Sequence, residues 1–380
     1  MTRIHYIGNY VHDNNDRNLF GFPSAITKMN YIISALKKAQ YNVTILATGE
    51  TQNRFFCYYH LKKVIIDKQQ DIVYLHTFGT PFYILRLAAR FWTWTQMIYY
   101  FLFKVKSNDI ILVYHSPLYK WPVKIASFFK NIRLYFEVDE IYNATTYKNA
   151  TKINNEINYL KNANGYILVN DLMDQLINLQ HKPNIICYGD YSYKDIPEKK
   201  HNHKIIRLVY AGLIGNQQTD VFLAINAMKH LSADYQLDIA GYGHNEDIAF
   251  LKNNIDETNK LLGRTAIHFH GLLKGAAYLS LLSACDIGLC TRILPDHLSN
   301  YTFPSKVLVY LGSNLIPLCS PLTCIKKSKI NESVVYCEKV NPESVADAVR
   351  TIDIANKANA NILKILDNQF VLDLQRLFLS

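Results

Sequence analysis

Residues 300–312 read NYTFPSKVLVYLG and predict a loop that turns into a short helix. Pro304 suits the first helical position, where a missing N–H costs nothing, and Gly312 suits a left-handed residue that ends the helix. Lys306 falls in the first turn, where its positive charge opposes the helix dipole. A bound anion, most simply a phosphate, would explain a lysine at this place. The alternative is a solvated surface lysine without a ligand.

The length of the chain bounds the number of domains. At 380 residues it is too long for one ordinary core, and two domains of roughly 150 to 200 residues are expected. Its 49% hydrophobic and 19% charged residues are typical of a globular protein. The seven cysteines are odd in number and never spaced as C-x-x-C, which favours reduced thiols over disulfides or a zinc site. Residues 1–10 lack the long apolar run of a signal peptide, so we expect a cytoplasmic protein.

The formal net charge of +10 suggests an anionic partner. Nucleic acid, an anionic membrane face and phosphorylated substrates would each account for it. Proteins that read nucleic acid usually cluster Arg and Lys on one face of a helix or strand. Here the basic residues are spread along the chain and no recognition motif occurs. We therefore expect no nucleic-acid partner.

The first half of the chain, residues 1–188, alternates between strand and helix patterns. Strands are predicted at residues 3–8, 41–47, 71–76, 109–115, 133–138 and 165–169. Several of them are almost continuously apolar, which is typical of strands covered on both faces. Strands separated by helical segments favour a parallel, doubly wound sheet, so the fold class is α/β.

Polar residues follow several of these strands. In doubly wound sheets ligands bind beyond the carboxyl ends of the strands, and Gly21, His115, Glu137 and Asp139 lie there by sequence. Each could more simply be an ordinary loop residue, part of a tight turn or a helix cap. A glycine such as Gly21 would also let a phosphate approach the backbone.

The segment 82–106 places aromatic residues between basic ones. Its core reads FWTWTQMIYYFLF, with Arg86 and Arg90 before it and Lys104 and Lys106 after it. It is too short to cross a bilayer once the arginines are excluded. The composition fits an interfacial helix on anionic lipid. A plain buried helix would read similarly.

The remainder of the chain predicts a linker, a second domain and a terminal helix. Residues 189–204 are polar and turn-rich, and residues 205–354 repeat the alternation of strands and helices, which predicts a second doubly wound sheet. Residues 355–380 carry apolar side chains at helical spacing. His201 and His203, with His181, could suggest a metal, but no carboxylate or cysteine stands at ligand spacing, so we expect no metal.

The second half also carries a series of short motifs. They are the loop after Gly212, Gly241-x-Gly243, His270-Gly271, CDIGL at 285–289, and NYTFPSK at 300–306 before an apolar helix. In this order they resemble the GT-B glycosyltransferases of family 4. The first half is similar more loosely, through Gly21 and the turn His115-Ser116-Pro117, and residues 137–142 resemble a segment of bacterial surface-polysaccharide transferases.

The resemblance implies a retaining hexosyltransferase of lipopolysaccharide or capsule synthesis. It would use a UDP- or GDP-linked sugar without metal or cofactor, in a cleft between two domains, with the terminal helix packed on the N-terminal, acceptor-binding one. Lys306 and the N–H groups near Ser305 would stabilise the departing diphosphate. His115 would bind the sugar or the acceptor. Other donor-binding residues would be Gly21, Gly212, Asn216, Gly271, Tyr278, Asn300, Tyr301 and Thr302, and the acceptor would meet Glu137 and Asp139.

The sequence departs from the family pattern at three places. The family usually has two glutamates eight residues apart, where this chain has Tyr301 and Val309. The basic residue usual after Gly212 is also missing, and Asn216 lies near its place. Asp296 is a candidate to supply the carboxylate for the donor sugar.

Two other functions remain open at this stage. The chain could be an inactive GT-B partner of an active transferase, for which Val309 is the motivating residue, or a nucleotide-sugar epimerase. For a transferase, the aromatic segment 86–106 favours a lipid-linked or oligosaccharide acceptor at the cytoplasmic face of the inner membrane.

Overall fold

The chain divides into two compact units. The computed structural model describes residues 2–12, 17–144, 149–192, 205–215, 220–292, 298, 300–354 and 361–379. The first unit comprises residues 1–190 and 368–380, and the second comprises residues 191–367. The last part of the chain therefore belongs with its beginning.

The first unit is built on a sheet of eight strands in the order β10-β9-β8-β7-β1-β2-β5-β4. All neighbours are parallel except β4, which runs antiparallel to β5 at the edge. A separate antiparallel pair is formed by β3 and β6. The strands are β1 (Arg3–Gly8), β2 (Asn42–Ala47), β3 (Cys57–Tyr59), β4 (Lys62–Ile65), β5 (Gln70–Tyr74), β6 (Thr77–Gly79), β7 (Ile110–Tyr114), β8 (Arg133–Val138), β9 (Gly165–Leu168) and β10 (Asn184–Ile186).

Helices connect these strands. They are α1 (Pro23–Lys38), α2 (Tyr83–Phe103), α3 (Lys120–Phe129), α4 (Ala150–Leu160) and α5 (Asp171–Ile177). The central strands are buried because helices cover them: Ile4, Ile7 and Ile111 have no exposed surface. The parallel core strands were predicted, whereas the short elements β3, β4, β6 and β10 were not.

The second unit contains a parallel sheet of six strands in the order β13-β12-β11-β14-β15-β16. Counted along the unit this is the order 3-2-1-4-5-6 of dinucleotide-binding sheets. The strands are β11 (Ile206–Leu213), β12 (Tyr235–Tyr242), β13 (Ile267–Phe269), β14 (Ile287–Cys290), β15 (Ile316–Cys319) and β16 (Val335–Tyr336). The helices are α6 (Asp220–Ala227), α7 (Asn245–Leu262), α8 (Gly275–Ala284), α9 (Lys306–Gly312), α10 (Thr323–Lys326), α11 (Pro342–Thr351) and α12 (Asn361–Leu379). The predicted class, two doubly wound α/β sheets, is confirmed.

Two details of α9 correct the sequence prediction. The helix begins at Lys306 rather than Pro304. The left-handed residue that ends it is Asn314, with φ of 58°, and not Gly312. The N–H groups of Asn314 and Leu315 bond back to the carbonyls of Leu311 and Tyr310, a Schellman closure in which asparagine takes the place usual for glycine. The helix is thus shifted toward the C-terminus.

The last helix, α12, extends from the second unit into the first. From Asn368 onward its residues belong to the first unit. There Phe370 stacks on Tyr31 of α1, with ring centroids 5.7 Å apart. Arg133 donates to the carbonyl of Phe378, near the end of the helix.

Candidate active site

The strongest candidate site lies in the second unit, where the strand order reverses between β11 and β14. These strands are parallel neighbours, and the chain leaves them in opposite directions across the sheet. At such a switch point the loops separate and leave a crevice beyond the carboxyl ends of the strands. Gly212 and Leu213 end β11, and Thr291 and Arg292 follow β14.

Lys306 extends over the end of β11. Its Nζ lies 3.3 Å from Asp220 Oδ2 and 4.2 Å from the centre of the Tyr210 ring. A methyl group at Gly212 would come within 3.2 Å of the same Nζ. The lysine side chain remains 23% exposed, whereas the Asp220 side chain is 7% exposed. One carboxylate therefore orients a lysine whose side chain is still partly exposed.

Two tyrosines hold this arrangement in place. Tyr210 donates to Asp220 Oδ1 over 3.0 Å, so that carboxylate is fixed on both oxygens. Tyr310 of α9 accepts from the backbone N–H of Ala211 and donates to the carbonyl of Leu289. It thereby joins α9 to both strands of the switch point. Its ring packs on Gly288, where any side chain would overlap it.

A second positive charge lies in the same region. Cys290 and Cys319 stand opposite each other on β14 and β15. The Cys319 hydrogen bond lowers the pKa of the Cys290 thiol, and the charges of Lys306 and Arg292 lower it further. Arg292 is exposed. Among the described residues, the cations Lys306 and Arg292 and the buried carboxylate of Asp220 therefore lie in this region.

Three glycines line the neighbouring strand ends. Gly212 pairs with Gly241 across β11 and β12, and the N–H of Gly241 donates to the carbonyl of Gly271 over 2.9 Å. Gly271 has φ of +69° and open space where a side chain would stand. Burial raises the pKa of the Tyr278 phenol to about 12. Burial and then Tyr278 raise the pKa of Tyr310.

His270, beside Gly271, is held by a buried acid. Its Nε2 lies 2.7 Å from Asp238 Oδ1, and Asp238 has no exposed surface. The other oxygen of Asp238 accepts from Arg207. The histidine is therefore fixed at the carboxyl end of the sheet by its carboxylate partner.

The loop before α9 is described only in part. Asn300 and Tyr301 are half-buried, Thr302 is buried and Ser305 is exposed. Val309 is half-buried, and as a valine it supplies no carboxylate at that position of the helix. Asn216, Asp296, His201 and His203 lie outside the described residues.

The candidate residues of the first unit behave differently. A methyl group at Gly21 would come within 2.8 Å of Ile26, which leaves the glycine tightly packed beside α1. His115 is 1% exposed, and its Nε2 lies 2.7 Å from Glu156 Oε1. In the described residues its Nδ1 has no hydrogen-bond partner. A contact between His115 and a sugar or acceptor has no support in this geometry, because the ring is covered.

The geometry gives no support to the acceptor contact predicted for Glu137 either. Glu137 is completely buried and accepts a hydrogen bond from Tyr6. Burial and then the charge of Asp139 raise the pKa of Glu137 to about 8. Lys28, itself 5% exposed, forms ion pairs with Asp139 and with Glu137. The group is an interior network and not a free acidic surface.

Sequence reasoning missed several residues that shape the second site. Tyr210, Asp220, Arg292 and Tyr310 were not among the candidates. Arg292 could have been found, because it comes two residues after a predicted strand, at the edge where ligands bind. Tyr210, inside a strand, and Tyr310, inside a helix, read as core residues and carry no comparable signal.

Comparisons with known proteins agree on the architecture. No protein-family model and no curated protein sequence matches the chain. Solved structures do match. An apo structure of OtsA is 14% identical, with a TM-score of 0.69 over 100% of this chain and 98% of that one. The fold is GT-B.

Two further GT-B matches contain nucleotide ligands. A structure described as trehalose-6-phosphate from E. coli bound with UDP-2-fluoro glucose is 12% identical, with a TM-score of 0.67 over 98% of this chain and 99% of that one. Anabaena HepE in complex with UDP and glucose is 11% identical, with a TM-score of 0.64 over 99% and 98% of the two chains. At such identities the likeness establishes the GT-B fold.

The described residues contain neither a helix that could span a membrane nor a cluster of metal-ligating side chains. No helix among them is both long enough and apolar enough to span a membrane. Nowhere in the same part of the chain do three His, Cys, Asp or Glu side chains gather in a way that could hold a metal ion.

Proposed function

We propose that the protein is a retaining glycosyltransferase, related to family 4, that transfers a hexose-type sugar from a nucleotide sugar. The acceptor is a growing surface polysaccharide of a bacterium, such as lipopolysaccharide or capsule, or a lipid-linked oligosaccharide. The protein works at the cytoplasmic face of the inner membrane, which it approaches through residues 86–106. The stereochemistry, the hexose and the acceptor class rest on the resemblance of its motifs to that family.

One observation carries the proposal for the donor. Lys306 lies against Gly212 at the switch point of a sheet whose order is that of dinucleotide-binding domains. A glycine lets a diphosphate approach the backbone, and the lysine supplies a charge at the same place. Solved structures with the same fold are bound with UDP-2-fluoro glucose and with UDP and glucose, which supports a UDP-linked donor.

The chemistry we propose needs no metal. When the bond between the sugar and the diphosphate breaks, negative charge develops on the departing phosphate. Lys306, oriented by Asp220, and Arg292 are positioned to stabilise that charge. Because Asp220 and Tyr210 hold the lysine beforehand, little reorganisation is needed during the reaction.

The test is a screen of nucleotide sugars by thermal shift on the full chain. A ligand that binds the folded state raises the melting temperature by mass action. We expect one class of nucleotide sugar to do so, and slow hydrolysis of that donor in the absence of acceptor, lost in Lys306→Ala. A protein whose melting temperature responds to no nucleotide sugar and no nucleoside diphosphate would overturn the proposal.

A second candidate is a catalytically inactive GT-B partner subunit. It is favoured by Val309, since the family usually places a glutamate there. Such a protein would bind a nucleotide or none, and would neither transfer nor hydrolyse a sugar. Transfer to any acceptor by the purified protein would exclude it.

A further inference from the structure

The helix α2 and its neighbour α3 expose far more apolar surface than helices of a closed domain do. Of the residues of α2 only Ala89, Met97 and Phe101 are buried. Its exposed large side chains, with those of α3 and the flanking residues, are Phe82, Tyr83, Ile84, Leu85, Leu87, Phe91, Trp92, Tyr99, Phe103, Leu118, Trp121, Ile125, Phe128 and Phe129. An apolar area of this extent marks a surface that contacts a membrane or another protein.

Contacts between the two helices bring their apolar ends together. Helices α2 and α3 pack against each other. Lys130, just after α3, donates to the carbonyls of Phe101 and Leu102 at the end of α2. Phe128, the most exposed of the nearby rings at 84%, is therefore held near the end of α2 that carries Phe103. The exposed rings belong to one surface, which we call the α2–α3 face.

The charges around the α2–α3 face are almost all positive. From residue 72 to 136 the sequence has a single carboxylate, Asp109, and it is buried against His5. The same stretch contains the basic residues Arg86, Arg90, Lys104, Lys106, Lys120, Lys124, Lys130 and Arg133. Glu50, the carboxylate that approaches α2 from outside this stretch, is paired with Arg90 over 2.7 Å.

Several of these cations lie against the exposed rings. Lys124 lies 5.7 Å from the centre of the Trp121 ring, and Lys104 lies 5.9 Å from that of Tyr99. Arg86 lies 5.6 Å from that of Tyr83. Aromatic rings with cations beside them suit the boundary between lipid headgroups and acyl chains, where rings enter and cations stay with the phosphates.

We propose that α2 and α3 together form a docking surface for an anionic lipid bilayer, with Trp121, Phe128 and Phe129 of α3 entering the interface beside α2. This deepens the proposed function, on which it rests for the membrane-bound acceptor, and it adds a second helix to residues 86–106. A second copy of the chain is a less suitable occupant, because it would bring the same cations against each other and Glu50, the carboxylate described beside the face, is already paired with Arg90.

The experiment measures sedimentation of the full chain with vesicles of phosphatidylcholine containing phosphatidylglycerol, and of phosphatidylcholine alone. We expect binding to the anionic vesicles that weakens in high salt, since each Lys near such a surface contributes about a fivefold factor. The α3 variant Lys124→Gln with Phe128→Ser should bind at least about tenfold more weakly. Both residues are exposed, so the fold should persist.

The matched control removes one charge and one apolar side chain elsewhere. Lys260→Gln with Leu261→Ser, on the exposed face of α7, should bind vesicles as the wild type does. Equal binding by the α3 variant and the wild type would overturn the role of α3. If the wild type did not bind vesicles but formed dimers, and the α3 variant were monomeric, the occupant of the α2–α3 face would be a second copy of the chain and not a bilayer.

Donor binding separates this inference from the proposed function. The α3 variant should bind the nucleotide sugar found in the thermal-shift screen as tightly as the wild type does. Vesicle binding without any nucleotide binding would leave the docking surface intact while the proposed function fails. Nucleotide binding without vesicle binding would overturn the docking surface and leave the proposed function intact.

Discussion

Two lysines at the carboxyl ends of the two sheets illustrate how the same topology can serve different purposes. Lys28 in the first unit lies between the carboxylates of Asp139 and Glu137 and is almost completely buried. Lys306 in the second unit has one carboxylate partner, Asp220, and keeps part of its side chain in solvent. The first charge is neutralised inside the protein. The second remains available to an anionic ligand.

The difference lies in what surrounds each lysine and not in the sheets. The parallel strands of both sheets reverse their order at a switch point, between β1 and β7 in the first unit and between β11 and β14 in the second. Tyrosine and glutamate side chains fill the first switch point, since Tyr6 and Glu137 have no exposed surface. Glycines stand at the second, where Gly212 pairs with Gly241 and a methyl group at Gly241 would lie 2.1 Å from the Gly212 carbonyl oxygen. The side chains around the strand ends, and not the strand order, therefore distinguish the two switch points.

Loss of the buried lysine should have the largest effect on stability. Lys28→Ala leaves the carboxylates of Asp139 and Glu137 without their cation, which for a buried pair costs about 3–5 kcal/mol. Denaturant unfolding of the full chain measures this. The control is Lys37→Ala on the same helix, whose ion pair with Asp67 is exposed and should contribute at most about 1 kcal/mol. Equal losses of unfolding free energy in Lys28→Ala and Lys37→Ala would contradict the contrast between a buried and an exposed ion pair.

Loss of the partly exposed Lys306 should affect ligand binding rather than stability. Lys306→Ala should weaken UDP or GDP binding by about tenfold or more, since a hydrogen bond to a charged group contributes about 1.5–3 kcal/mol. Binding of uridine or guanosine, which lacks the diphosphate, should not change. Calorimetric titration with each nucleotide and its nucleoside measures both.

A second lysine in the same unit provides the control for Lys306. Lys326 lies 5.6 Å from the centre of the Tyr336 ring, in an arrangement that resembles Lys306 over Tyr210. Lys326→Ala should leave nucleotide affinity unchanged. If both variants lost affinity equally, a general effect of net charge would be responsible and the site would be misplaced.

The contrast between the lysines also shows what the sequence could reveal. The parallel strands were predictable because buried strands are continuous apolar runs, and Lys306 and Gly212 were found through motifs. The partners of each charge were not predictable, because they come from distant parts of the chain: Lys28 meets Asp139, and Lys306 meets Asp220. For the same reason the sequence could not show that Glu137 is buried.

The short edge elements could not be predicted for a different physical reason. Strand β4 contains Lys62 and Lys63, is exposed at three of its four residues and lies at the edge of the sheet. An edge strand need not bury two faces, so its sequence lacks the long apolar run of a central strand. The left-handed Asn314 was missed because glycine is the more common choice and Gly312 stood nearby.

A methyl group at Gly212 should have a smaller effect than removal of the lysine. In Gly212→Ala the new carbon would approach Lys306 Nζ to 3.2 Å, so the flexible end of the lysine shifts by a few tenths of an ångström. We expect a loss of nucleotide affinity of several-fold, about 1 kcal/mol, and little change in the unfolding free energy. Gly215→Ala is the control, since its nearest neighbour, Asp247 Oδ2, is at an ordinary 3.7 Å. The crowding explanation fails if both alanines weaken binding equally.

Stability should also depend on pH through Glu137, which is buried at the switch point of the first unit. The pKa of Glu137 is raised from an ordinary 4.5 to about 8, first by burial and then by Asp139. The folded state therefore binds a proton that the unfolded state releases between about pH 4.5 and 8, and the stability that this proton contributes is lost as the pH rises through that window. Glu137→Gln cannot titrate, so its unfolding free energy should fall less steeply over the same range.

Glu156→Gln serves as the control for Glu137→Gln because its sign is opposite. Burial raises the pKa of Glu156, but hydrogen bonds from His115 and Asn143 outweigh it and lower the pKa overall. Its stabilisation is thus present above the ordinary pKa and is lost as the pH falls, so this variant should differ from the wild type in pH dependence only in acid. Denaturant unfolding at a series of pH values distinguishes the two. Parallel curves for Glu137→Gln and the wild type above pH 5 would mean that Glu137 stays ionised, with Lys28 fully compensating for its burial.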